Sequence, residues 1–370
     1  MRTSPTVYEV AERAGVSTAS VSRVLAGHDR VRQETRDKVM AAVTELGYVP
    51  RGAAQDLAGR RTAVLGLCFP DLVGDRDIAR PGRARPDQEA DTDAMYWYDE
   101  VIRGMERAAR RSGYALLIAA SHETDDANLV LTVAGRCDGL VVLAGTAPAE
   151  TVEHVVARVP VVLLAAPPGI RVRGTVDHLG VANESGMHEL TRHLLDTHGY
   201  TDLCFIAGPP DSADSASRYA GFRAALAERG LTERGLAAAG EPDLHGDFTA
   251  AGGAAVVTRL LQRGPVPRVL VCANDQTAIG AMSALRQAGL RVPEQVAVTG
   301  FDGVQVARHL SPGLTTVAQP MREIGEVAVS LLQQRIAESD RPAEEIQLPV
   351  RLEVRESCGC PAPAGRREDQ

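Results

Sequence analysis

The chain has a single lysine in 370 residues, Lys38, close to its amino terminus. A phosphate-loop lysine is therefore missing from the whole of the body. Schiff-base and Ser–Lys chemistry are excluded there for the same reason. No G-x-G-x-x-G follows a predicted strand, and neither a G-x-S-x-G elbow nor an H-E-x-x-H helix is present. Aromatic residues make up only 4%, with one tryptophan, Trp97. No apolar run is long enough to span a membrane, and no leader pattern opens the chain. A reducing cytoplasm is the expected compartment, without structural disulfides. Of six cysteines, Cys68, Cys204 and Cys272 sit in or beside apolar runs, where cysteine behaves as a small hydrophobe. Cys358-Gly359-Cys360 forms a C-x-C pair of the kind that binds metal or senses redox state, but no second Cys or His pair accompanies it. His188 and His193 share a predicted helix with Glu184 and Glu189, at a spacing that does not bring two ligands onto one face. These readings predict no catalytic residue, no cofactor and no metal.

What is present begins at the amino terminus. Thr6 is placed to cap a helix over residues 7–14, with Val7, Val10, Ala11 and Ala14 on one face. Gly15 supplies a tight turn, and Ser17 caps a second helix over 18–25. Val21, Val24 and Leu25 face inward on it, while Thr18, Ala19, Ser22 and Arg23 face outward. A third helix over 32–45 carries Val39, Ala42, Val43 and Leu46 to close a small core. An outward face of this kind suits a recognition helix in the major groove. Short side chains at Thr18 and Ala19 allow close approach to thymine methyls, and Arg23 reaches a guanine edge or a phosphate. On pattern alone, a three-helix bundle with no DNA role stays open.

Charge is divided unevenly. Residues 1–61 hold ten Lys/Arg against seven Asp/Glu, while the remainder holds thirty against forty-one, for a net −8. A mildly basic head on an acidic body favours phosphate contact at one end, and its small excess favours two heads on one site, hence a dimer. Residues 52–58 are too short for a stable free helix. They read either as a plain linker or as a hinge that orders on DNA.

The stretches "VYEVAERAGVS", "SVSRVLAG", "VRQETRDKVMAAVTELGYVP" and "AAQDLAGRRT" resemble the head of the lactose-repressor/galactose-repressor (LacI/GalR) family of transcription regulators. The resemblance implies DNA contacts from Thr6, Tyr8, Ser17, Thr18, Ala19, Ser22, Arg23, Arg32, Tyr48, Ala54 and Leu57. Thr18, Ala19 and Arg23 correspond to base-reading positions. Leu57 corresponds to a leucine inserted into the minor groove, which unstacks a step and bends the duplex. Arg32 departs from the serine usual at that position, which weakens a helix cap or adds a phosphate contact.

Behind the head, strand-like runs at 63–69, 114–120, 139–143 and 161–164 alternate with helices at 99–112, 128–134, 149–158 and 183–197. A second set follows, with strands at 201–207, 269–273 and 296–301 and helices at 215–229, 249–262 and 276–288. Such alternation implies two lobes, each a parallel sheet covered on both faces. The expected fold is an all-α helix-turn-helix head (residues 1–50) and hinge helix (51–61) joined to a two-lobed α/β domain with parallel sheets (62–360), then a polar tail at 361–370 without a leucine heptad. By its resemblance, the body is of the periplasmic-binding-protein type. The lobes would be 62–197 with 319–348, and 199–317 with 349–360, with crossings near His198, Ala318 and Pro349.

The same resemblance implies an effector site of Trp97, Tyr98, Arg218, Phe248, Asn274, Asp302 and Gln319 in the interlobe cleft. Their chemistry suits a sugar or related polyol. Arg218 offers a planar fork, Asp302 and Asn274 exchange hydrogen bonds with hydroxyls, and Trp97 and Phe248 present flat apolar faces. Phe248 and Asn274 also read as a core ring and a helix cap. Asp275 reads as a helix-start or relay residue. An acidic residue common in the family around Ala182 is absent. The polar segment 71–94 reads as a surface insertion or a lid over the cleft. The expected protein is a homodimeric, effector-controlled repressor of a palindromic operator in double-stranded DNA. A carbohydrate-metabolising enzyme and a solute-binding protein are the rival readings.

Overall fold

A computed structural model describes residues 6–25, 31–46, 61–70, 96–121, 127–167, 172, 174–232 and 244–361. The hinge at 51–60, Tyr48, Ala54, Leu57, the segment 71–94 and the tail after Pro361 lie outside the described residues. The chain divides into two units, Met1–Thr62 and Ala63–Gln370.

The first unit holds α1 (Val7–Ala14), α2 (Thr18–Leu25) and α3 (Gln33–Leu46). Thr6 begins α1 with a full capping box, its hydroxyl accepting from the Glu9 amide and its own amide donating to the Glu9 carboxylate. Gly15 ends that helix at φ 66, a left-handed turn that glycine adopts without strain. The Ser20 amide donates to Ser17 Oγ at 3.2 Å and so starts α2. Val10, Ala11, Ala14, Val21, Val24, Val39 and Ala42 form the core. An Arg13–Glu45 ion pair ties α1 to α3. Arg32 contributes its carbonyl to the start of α3, accepting from Arg36 N at 3.1 Å, and its side chain is exposed.

In the second unit, β1 (Val64–Pro70), β2 (Ala115–Ser121), β3 (Gly139–Leu143), β4 (Val161–Leu164) and β5 (Asp177–Val181) belong to one sheet. Strands β6 (Leu203–Ile206), β7 (Val269–Cys272), β8 (Ala297–Asp302) and β9 (Thr315–Ala318) belong to another. Late in the chain, β10 (Glu345–Leu348) joins the first sheet beside β5, and β11 (Arg351–Glu353) pairs antiparallel with β9. The strand orders are β10-β5-β4-β3-β1-β2 and β11-β9-β8-β7-β6. All pairings but β11 with β9 are parallel, and β3, β4, β6, β7 and β8 are buried along their whole length. Continuous burial of apolar strands is what two covered faces require. The helices are α4 (Tyr96–Arg111), α5 (Ala127–Ala134), α6 (Ala149–Val156), α7 (Asn183–His198), α8 (Ala213–Ala227), α9 (Ala250–Arg263), α10 (Asp275–Gln287) and α11 (Met321–Ala337).

Helix α11 packs on α4 and on β3, β4 and β5, whereas α7 packs on α8, β9 and β11. The first crossing between sheets therefore falls at Ala182, not near His198, and α7 belongs to the second lobe. The sequence concealed this because β5 begins Asp177-His178, which breaks the apolar run that marks a buried strand. Asp177 is fully buried. Its carboxylate accepts from Arg335 Nε and Nη2 at 2.9 and 2.7 Å, from Arg341 Nη2 at 2.5 Å and from the Glu344 amide at 2.9 Å. That cluster fastens β5, α11 and the approach to β10 together.

Removing one member of a buried ion cluster leaves uncompensated charge, which costs about 3–5 kcal/mol. Asp177→Ala is expected to lose that much in urea unfolding of the body. A loss below about 1 kcal/mol, the range of exposed pairs, would show that the cluster is not holding the lobe.

Candidate functional site

On the head, α2 turns Val21 and Val24 into the core and leaves Ala19, Ser22 and Arg23 exposed, with Thr18 half-buried. Arg23 Nε donates to the Ala19 carbonyl at 3.2 Å, which lays the guanidinium along the outer face. The first turn of α2 carries no acidic residue. Its amide dipoles therefore meet an approaching phosphate unopposed. Tyr8 is 74% exposed, an unusual position for an aromatic ring on a small domain. Thr6, Ser17 and Arg32 are also exposed. Thr6 and Ser17 serve at the same time as helix caps.

Within the second unit, a polar relay joins the two lobes. Trp97 Nε1, on α4, donates to Gln319 Oε1 at 3.2 Å. Gln319, at the second crossing, donates from Nε2 to Asp302 Oδ1 at 2.7 Å. Asp302, at the end of β8, lies 3.6 Å from Arg218 Nη1. Arg218 in turn donates from Nε to Asn183 Oδ1 at 2.8 Å and from Nη1 to the Ala273 carbonyl at 2.7 Å. Its guanidinium lies 3.9 Å from the Phe301 ring centroid and 5.8 Å from that of Phe248. Trp97, Arg218, Asp302 and Gln319 are thus brought together.

The other three expected contacts divide differently. Tyr98 is packed into the first-lobe core, its ring centroid 5.0 Å from that of Phe69, and it supports Trp97 edge-to-face at 5.2 Å. It therefore supports the tryptophan, with which it lines a small apolar pocket beside Leu67, Val101 and Leu164. Asn274 is occupied as the cap of α10, its Oδ1 accepting from Thr277 N and its Nδ2 donating to the Phe248 carbonyl. Phe248, at φ 60, presses its ring against Gly208, where an added Cβ would lie 2.3 Å from it. Asp275 holds the turn after β8, accepting from Gly303 N, Val304 N and Thr316 Oγ1 at 2.8, 2.9 and 2.5 Å.

Two residues of the site were not anticipated. Asn183 holds Arg218 and donates to Asp214 Oδ1 at 2.9 Å, and Asp214 Oδ2 is 3.7 Å from Arg218 Nη2. Asn183 opens α7 and Asp214 lies in the first turn of α8, where both read as ordinary helix-start residues. They line a cavity of about 100 Å³ between the lobes, with Leu179, Val181 and Ile346 on its other wall. Burial pushes the Asp302 carboxyl up from its ordinary range; Arg218 offsets this only in part, and the nearby Asp275 adds to it. Burial also raises Asp275, against the hydrogen bond from Thr316.

The expectation that no histidines accompany the C-x-C pair is corrected by the fold. His193 and His198, at the end of α7, meet Cys358 and Cys360 there. A spacing of five brings both rings to one point because His198 is the last helical residue.

Residues 6–51 match the family model for bacterial regulatory proteins of the lacI family, and residues 191–358 match a periplasmic binding protein-like domain. The transcriptional repressor PurR of Proteus mirabilis is 30% identical over 95% of this chain and 96% of its own. The ribose operon repressor of Escherichia coli K12 is 30% identical over 94% and 98%. This chain belongs to the lacI family. It is a DNA-binding transcription regulator under effector control, not an enzyme. Among solved structures, a cellobiose complex of the regulator CelR is 30% identical over 95% of this chain and 99% of its own, with a TM-score of 0.65. The lac repressor dimer bound to operator and the anti-inducer ONPF is 26% identical over 96% and 99%, with a TM-score of 0.74. No described helix is long and apolar enough to cross a membrane.

A carboxyl held above its unfolded value contributes stability that is full below about pH 4 and lost as pH rises through the folded value. Asp302→Asn keeps the acceptor for Gln319 and removes the titration. The variant is expected to gain on the wild type as pH is raised from about 5 to about 8, read as urea midpoints. A constant difference across that range would mean Asp302 titrates as an ordinary carboxylate.

Proposed function

We propose that this regulator is a homodimeric, cytoplasmic repressor whose hold on a palindromic operator is set by a neutral polyhydroxyl effector, a sugar or related polyol, in the interlobe cleft. The observation that carries this is the set of partners around Arg218. Its guanidinium donates to Asn183 and to the Ala273 carbonyl and has Asp214 and Asp302 within 3.7 Å, so little of its fork is left for an incoming phosphate or carboxylate. A ligand with many hydroxyls instead finds donors and acceptors on Arg218, Asp302, Asn183 and Gln319, and a flat face on Trp97. The cellobiose complex and the operator complex with ONPF among its structural neighbours support the same reading.

In this reading α2 enters the major groove, with Thr18, Ala19, Ser22 and Arg23 toward base edges. Thr6, Tyr8, Ser17, Arg32 and Tyr48 contact the backbone, and Ala54 and Leu57 reach the minor groove between two heads. The effector acts only through its different affinity for the two lobe arrangements. Because the relay crosses between lobes through Gln319, a ligand inserted among its members changes how the lobes are held.

The operator is found by selection from a random duplex pool at fixed salt, and its affinity is then titrated against neutral sugars and their phosphates. A neutral sugar is expected to shift operator affinity, and Asp302→Asn to abolish that shift while leaving ligand-free operator binding intact. An effect from sugar phosphates alone would overturn the neutral-effector reading. Arg23→Ala is expected to cost about 1–3 kcal/mol and to relax the sequence preference at its base pair. Leu57→Ala is expected to weaken operator binding with the fold unchanged by circular dichroism. Unchanged operator affinity in Leu57→Ala would refute the minor-groove wedge.

A further inference from the structure

We propose that His193, His198, Cys358 and Cys360 form a structural zinc site in the second lobe. Helix α7 ends at His198 with Gly199 at φ 64. A short 3-10 turn, Glu356–Cys358, returns beside it much later in the chain. The four ligand atoms all lie within 4.8 Å of one another. Cys358 Sγ and Cys360 Sγ are each 3.6 Å from His193 Nε2, and Cys360 Sγ is 3.4 Å from His198 Nε2. A tetrahedral zinc with bonds of about 2.3 Å to sulfur and about 2.05 Å to nitrogen has S···N edges of about 3.5 Å. Three of the four S···N pairs already stand near that separation, and the fourth is within 4.8 Å.

The surroundings hold them in that pose. Gly359 has φ 108, and a Cβ there would fall 2.9 Å from Tyr200 Oη and 3.4 Å from two ring atoms of His198. The glycine between the cysteines thus allows both thiols to turn to one point against the rings. His193 Nδ1 lies 3.3 Å from Thr197 Oγ1, which leaves Nε2 for the metal. His198 stacks on Tyr200 with centroids 5.1 Å apart. Tyr200 donates to the Cys358 carbonyl at 2.9 Å and accepts from Arg268 at 3.1 Å. Each ring is therefore fixed by a partner outside the donor set, the arrangement that orients ligands in metal sites.

Two thiolates and two imidazoles in a tetrahedron favour zinc over harder cations. Four protein donors leave no open position, so the site is structural. On binding, the two thiols release their protons and their charges balance the dication. The ion would staple the segment after β11 to the end of α7.

The test uses the full chain, purified under reducing conditions, exposed to zinc and dialysed. About one zinc per chain is expected by atomic emission, released on thiol modification. Cobalt in its place should give the visible spectrum of a tetrahedral thiolate complex. Cys360→Ser and His198→Asn should each lose the ion, while His188→Asn on the same helix should keep it. Thr197→Val should keep it with an affinity roughly 10–100-fold weaker. Wild-type protein that retains no zinc overturns the proposal without reference to any variant. So does zinc retained undiminished by Cys360→Ser and His198→Asn, or a Cys358–Cys360 disulfide persisting under reduction.

Discussion

The border of the cleft is arranged around a buried cation. Arg218 is 3% exposed, and a guanidinium taken out of water must be paired and hydrogen-bonded to be tolerated. Its partners come from four directions: Asn183 on α7, Asp214 on its own helix, the carbonyl after β7, and Asp302 at the end of β8. Phe301 supplies a ring face beneath it. Through Asp302 and Gln319 the network reaches Trp97 in the other lobe. Satisfying Arg218 therefore fixes the relative positions of the elements that border the cleft.

That pairing creates a second demand. Asp302 sits at φ 130, a backbone conformation that costs a non-glycine residue about 1–3 kcal/mol. Asp275 offsets the strain from below, its carboxylate accepting from the next two amides and from Thr316. The Asp275 carboxylate raises the proton affinity of Asp302, and burial raises both. The cleft is thus a polar surface whose charges are already spent on each other. Such a surface rewards a ligand that exchanges hydrogen bonds and brings no charge of its own.

Legibility in the sequence followed how local each signal is. The ends of α1 and α2 were readable because a capping box, a glycine and a serine lie within the elements they bound. Arg218, Asp302, Gln319 and Trp97 were reached through family resemblance, since no spacing links residues so far apart. Asn183 and Asp214 escaped because a short polar residue at a helix start looks like a cap, and Asp214–Arg218 looks like a solvated i,i+4 pair. Strand β5 escaped because Asp177 reads as a loop residue until Arg335 and Arg341 arrive from far along the chain. Trp97 and Tyr98 share a motif, but on a helix neighbours face different ways, so the indole N–H reaches Gln319 while the Tyr98 ring packs on Phe69. The histidines escaped for a related reason. Helical periodicity separates His193 from His198, and only the end of α7 together with a turn of the same lobe, much later in the chain, reunites them.

Helix α7 then connects two sites that share no residue. Asn183 stands at its first position and His198 at its last, sixteen residues in all, a rod of about 24 Å. Along its length it lies on α8 so closely that a Cβ at Gly221 would strike the Glu184 carbonyl at 2.1 Å. At its start, the chain has just left the first lobe at Ala182. A pull on Asn183 from the cleft therefore meets a helix already seated on α8 and, under the zinc proposal, fastened at its far end to the turn beyond β11. A helix held at both ends resists bending, so a displacement at Asn183 would be taken up at the crossings between the lobes, of which the one at Ala182 adjoins it. Under the proposed function, a ligand among the relay residues would by this route turn one lobe against the other instead of deforming a single helix.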